Sequence, residues 1–129
     1  MDAYLSPEAC RSLTALCLLS SNSIPDGFLI GHKRGHRFFV EKIFPSQEGF
    51  FPSLEKYREL DKLFEEKILG FFSFRLNENK IKKILAPFAY NKLFLEINLP
   101  IQKEMKIKPY IIDRDKEFLL LPIKLKKSK

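Results

Sequence analysis

The run Ile-Leu-Gly-Phe-Phe-Ser-Phe-Arg-Leu at residues 68–76 sets a hydroxyl and a guanidinium in an otherwise apolar segment. Ser73 and Arg75 are two residues apart, so in a strand they share one face while Phe72 and Phe74 take the other. Ser73 could be a nucleophile only with a base beside it, and the chain's two histidines, His32 and His36, lie far back in the sequence. Arg75 could bind an anion or a partner. More simply, it could pair with a carboxylate such as Glu78 or Glu96.

His32 and His36 are the second candidate set. On a helix their spacing would put both imidazoles on one face for a metal, but Gly31 and Gly35 make the segment a turn. The rings could still meet across a hairpin, with Glu41 as a third ligand. Two solvated turn residues are the simpler reading.

These residues need elements to hold them. Ser6-Pro7-Glu8 carries an N-cap, a first-turn proline and an acidic residue, and Ala9, Leu13, Leu16 and Leu19 recur at helical spacing. Two apolar segments at residues 27–30 and 37–44 flank Gly-His-Lys-Arg-Gly-His and predict a β-hairpin. A second helix after Ser53 presents Leu54, Tyr57 and Phe64 on an apolar stripe. It leads into the strand at 68–76, a short helix around Ile81 and Ile84, a strand at 92–98 and a closing hairpin whose prolines suggest edge strands.

This order predicts a single α/β domain over residues 1–125, a mixed, mostly antiparallel sheet with helices on both faces, followed by a basic tail at 126–129. A chain of 129 residues with 45% apolar residues can bury a core of that kind.

The formal charge of +7 is concentrated at the end. The last six residues hold four lysines, which leaves +3 for residues 1–123. Such a block reads first as a solvated tail. No stretch of about 18 uncharged apolar residues predicts a membrane span. Asp2 and Glu8 stand where a secretory signal would be basic. Cys10 and Cys17, seven apart on a helix, are separated by roughly 10 Å, too far to bridge, and free thiols point to the cytoplasm.

The glycine motifs carry a resemblance. Gly27, Leu29 and Gly31 in Gly-Phe-Leu-Ile-Gly, followed after a helix by Gly70 and Phe71 ahead of Ser73 and Arg75, resemble the MPN domain, also called the JAMM metalloprotease domain. The resemblance implies a zinc site built from a His-x-His pair and an aspartate, with an upstream glutamate as general acid and base. Here Ser73 and Arg75 occupy the two histidine positions, Leu76 replaces the following proline and Ile24 stands at the glutamate position. No histidine follows His36 and no aspartate lies between Asp61 and Asp113.

The resemblance therefore implies a catalytically inactive member with neither metal nor cofactor. It would act as a scaffold for a protein partner or a second copy, with Leu54, Tyr57, Phe64, His32 and His36 as possible interaction residues. Two other readings stand beside it. One is non-specific nucleic-acid binding through the basic turn and tail, although the 13 phenylalanines lie in apolar segments and read mainly as core. The other is a divergent metal-dependent hydrolase that uses His32 and His36 with Glu41 or Asp26.

Overall fold

The structure is a computed structural model that describes residues 1–19, 26–46, 54–65, 67–74, 78–85, 89–98 and 105–127. In chain order the elements are β1 (Asp2–Leu5), α1 (Pro7–Leu19), β2 (Asp26–Arg34), β3 (Arg37–Ser46), α2 (Leu54–Leu63), β4 (Ile68–Phe74), α3 (Glu78–Ile84), β5 (Leu93–Asn98), β6 (Lys106–Arg114), β7 (Phe118–Pro122) and β8 (Lys124–Lys127).

All eight strands form one sheet in the order β7-β6-β5-β4-β2-β3-β1-β8. Its two outermost strands are consecutive in the chain. β7 pairs with β6, the chain passes through Ile123, and β8 pairs in parallel with β1 at the opposite edge. The Ile123 amide donates to the Pro109 carbonyl at 3.1 Å, so the two edges meet and the sheet is nearly closed into a barrel. Closure covers the unpaired strand groups that an open sheet leaves at its margins.

This overturns the expected α/β sheet with helices on both faces. Strands dominate, and the helices span only 13, 10 and 7 residues. Segments that short do not form layers over an eight-stranded sheet, and curling buries one face of the sheet against itself instead. The expected tail also begins later. Lys126 and Lys127 belong to β8 and pair with Tyr4 and Leu5, whereas 128–129 lie outside the described residues.

The apolar residues form two clusters. Ala9, Leu13 and Cys17 of α1 pack with Leu29, Phe38, Val40, Phe72, Leu95 and Ile111. Tyr57 of α2 packs with Phe28, Ile68, Phe71, Phe94 and Ile112, joined by half-buried Leu60 and Phe64. β4 supplies both clusters because it is buried along its whole length, which explains its near-continuous apolar run.

Two glycines have positional causes. A Cβ on Gly70 would lie 1.9 Å from the Leu93 carbonyl oxygen of the parallel neighbour β5. Gly35, at φ +57°, makes the β2–β3 turn in the left-handed region that glycine adopts at no steric cost. The expected N-cap is present: the Ala9 amide donates to Ser6 Oγ at 3.0 Å. β1 carries no strong sequence signal. It is a four-residue strand secured by pairing with β3 and β8. β6 lies inside the sheet despite Pro109, whose missing amide sits where β7 ends and the chain crosses toward β8.

Candidate functional site

Ser73 lies near the end of β4 with no exposure. The antiparallel register pairs Gly27 with Phe72, which sets Asp26, the first residue of β2, opposite Ser73. Ser73 Oγ donates to Asp26 Oδ1 at 2.8 Å, with the Phe74 carbonyl a longer alternative at 3.3 Å. Asp26 is itself buried, at 8% exposure. A hydroxyl held on a carboxylate acceptor is anchored, and that carboxylate forgoes a water ligand. Ile24 and Arg75, the other two positions matched to the zinc site, lie outside the described residues.

The histidines sit elsewhere, on the β2–β3 hairpin. His32 Nδ1 lies 2.5 Å from Glu41 Oε1, and the imidazole stacks on Phe39 with ring centroids 4.9 Å apart. Glu41, the candidate third ligand, thus pairs with His32 alone, in an exposed position. His36 is exposed at the turn. No group of three or more histidine, cysteine or acidic side chains that could hold a metal occurs among the described residues.

Of the other expected interaction residues, Tyr57 is a core residue, buried between Phe28 and Phe71 at centroid distances of 6.4 and 6.0 Å. Burial, aided by the nearby Asp61 carboxylate, pushes its phenol up from 10.0 to about 12. Phe64 is half-buried and meets Phe44 edge-on at 5.2 Å. The Leu54 side chain lies outside the described residues.

A cleft of about 310 Å³ opens at the other end of β4. Its floor is apolar, made by Phe38, Ile68 and Leu69, and its walls carry Lys33, Lys67 and Lys92. The topology explains the gathering. β4 and β5 are parallel, so Lys67 and Lys92, each just before its strand, stand at the same edge. β2 runs antiparallel to β4 and brings Lys33 back to that edge, where the Gly31 amide donates to the Lys67 carbonyl at 3.0 Å.

Lys92 is the most enclosed of the three. Its Nζ donates to the Ile68 carbonyl at 2.7 Å, and burial lowers its pKa from 10.5 while the Asp61 carboxylate opposes that shift. Asp61 Oδ1 is buried and has no hydrogen-bond partner among the described residues. Lys67 approaches exposed Glu65 at 3.6 Å, and Lys33 lies over the Phe38 ring at 4.9 Å.

Sequence reasoning passed over Lys67 and Lys92, and named Asp26 only as a carboxylate for the two histidines, whereas the structure sets it on Ser73. The one local signal for the lysines is a cation immediately before each apolar strand, a common pattern at strand ends. Asp26 shows no signal beyond preceding Gly27.

Fold and site together define a small, nearly closed β-barrel with a buried serine–aspartate pair toward one end of β4 and a cationic cleft at the other. No protein-family model matches the chain, and no curated protein matches it. Its structure is similar to the solution structure of protein DSY2949 from Desulfitobacterium hafniense, with a TM-score of 0.72 and 16% sequence identity over 98% of this chain and 93% of that one. Likeness at that identity shows a common fold and leaves activity open. No helix among the described residues is long and apolar enough to cross a membrane.

Proposed function

We propose that this protein is a non-catalytic interaction module, related to the MPN family, that serves as a scaffold for a protein partner or a second copy of itself. The observation that carries this reading is the Ser73–Asp26 pair. The residue at the first histidine position of the family's zinc site is fully buried and donates its hydroxyl to a carboxylate. A serine so placed braces two strands, and its hydroxyl is neither exposed to substrate nor a ligand of the kind that zinc selects.

The surface supplies a place for a partner. Phe44 is 41% exposed and packs on Phe64, whose chain neighbour Leu63 is 77% exposed. These exposed apolar side chains are the candidate contacts for a partner. The two free thiols, Cys10 and buried Cys17, suit a reducing cytoplasmic setting.

Sedimentation velocity across a range of concentrations, together with capture of partners from native extract, tests the reading. Leu63→Glu with Phe44→Glu should abolish association, and Leu63→Glu alone, at the 77% exposed position, should weaken it while leaving the unfolding midpoint nearly unchanged. A monomer that captures nothing, or association indifferent to both substitutions, overturns it.

A further inference from the structure

The cationic cleft is independent of the apolar surface just described and of the buried serine–aspartate pair. We propose that it is a binding site for a small organic phosphate, a phosphomonoester or diphosphate whose ring or apolar body lies on the cleft floor.

Three features specify that class. Lys33, Lys67 and Lys92 reach the cleft from three separate segments, so their convergence is a product of the fold and not of a local basic run. Each ammonium is a compact charge with three rotatable donors, which suits phosphate oxygens. Lysine binds phosphate in this way, as a point charge. Lys92 is held in place through the Ile68 carbonyl and keeps further donors for a ligand.

The remainder of the cleft is unlike a bare anion site. Phe38, Ile68 and Leu69 give it an apolar floor, and half-exposed Tyr90 offers a ring at its mouth. Asn91, beside Lys92, is at φ +67°, a left-handed turn conformation that asparagine adopts readily, and the turn sets Lys92 at the start of β5. The volume, about 310 Å³, is at the small end of the range for organic ligands. Of the nearby carboxylates, half-buried Asp61 acts on Lys92, Glu65 reaches Lys67 at 3.6 Å from an exposed position, and Glu41 is engaged with His32, which leaves three ammonium groups at the cleft against one half-buried and one exposed acid.

The test is amide-resolved NMR of the full chain titrated with phenyl phosphate, pyrophosphate, inorganic phosphate and phenol. Phenyl phosphate and pyrophosphate should shift the amides of Gly31, His32, Ile68, Asn91 and Lys92 saturably, with dissociation constants on the order of 1 mM or tighter. Phenyl phosphate should bind more tightly than either inorganic phosphate or phenol alone. Lys33→Gln with Lys67→Gln, both at exposed positions, should weaken binding about tenfold or more without changing the spectrum elsewhere.

Lys92→Met, with its fold checked by the same spectra, should remove binding. Absence of saturable shifts overturns the proposal, as does an affinity unchanged in the double variant. So does a response confined to a single-stranded oligonucleotide that perturbs Arg34–Arg37 and leaves the cleft amides unmoved. Each readout is separate from association through Phe44 and Leu63, so one reading can fail without the other.

Discussion

Replacing Ser73 with alanine removes the hydroxyl that donates to Asp26 Oδ1 at 2.8 Å and leaves that carboxylate in a site where Asp26 is 8% exposed. A hydrogen bond to a charged group contributes about 1.5–3 kcal/mol net, and restricted access limits how well water can replace it. The expected cost is about 2 kcal/mol. In urea, with a slope of about 1.5 kcal/mol/M for a chain of this size, the midpoint should fall by about 1.3 M at unchanged slope. Both residues also interact with other groups, so the pair is isolated by a double-mutant cycle with Asp26→Ala. The cycle should show coupling of about 1–2 kcal/mol. A loss below about 0.5 kcal/mol for Ser73→Ala, or coupling near zero, would refute the view that this serine braces β2 against β4.

Other consequences follow from the packing. The Tyr57 phenol, raised from 10.0 to about 12, favours the folded state fully below pH 10, and that stability is lost as pH rises toward 12. The hundredfold difference in proton affinity corresponds to about 3 kcal/mol, so alkaline unfolding should set in over this interval and move upward in Tyr57→Phe. Gly70→Ala drives a Cβ to within 1.9 Å of the Leu93 carbonyl oxygen, and chemical denaturation should register a loss of about 3 kcal/mol or more, with wild-type stability refuting the close approach. Deleting residues 124–129 removes β8, exposes the β1 edge and takes away the half-buried Leu125 side chain, on the order of 1 kcal/mol for that side chain alone. Removal of a mere solvated tail would leave both midpoint and solubility unchanged.

The sequence by itself determined the local elements, because their signals are local. Ser6-Pro7-Glu8 opened α1 where the N-cap is found, the two apolar segments flanking the glycine-bounded turn specified the β2–β3 hairpin, and the apolar run at 68–76 marked a strand, which the structure buries over 68–74. Gly70 stood out in the sequence only as part of a glycine motif; that the backbone of β5 leaves no space for a side chain there is a long-range contact. Glu41 entered the sequence reading only as a third metal ligand; it meets His32 because it is the extra residue at the bulge, where Ile30 pairs with Lys42 and Gly31 with Val40.

Closure of the barrel was not legible. It depends on β7 and β8 taking opposite edges of the sheet although only Ile123 separates them, a choice made by pairing with β6 and β1 and not by any residue at the break. The candidate sites divide in the same way. Ser73 could be singled out as a polar residue in an apolar strand, but Asp26 lies 47 positions away and meets it only through the β2–β4 register. Lys33, Lys67 and Lys92 look like three ordinary surface cations in the chain. They become a site because parallel β4 and β5 begin at one edge and antiparallel β2 returns to it, an arrangement set by long-range strand pairing that no stretch of sequence encodes alone.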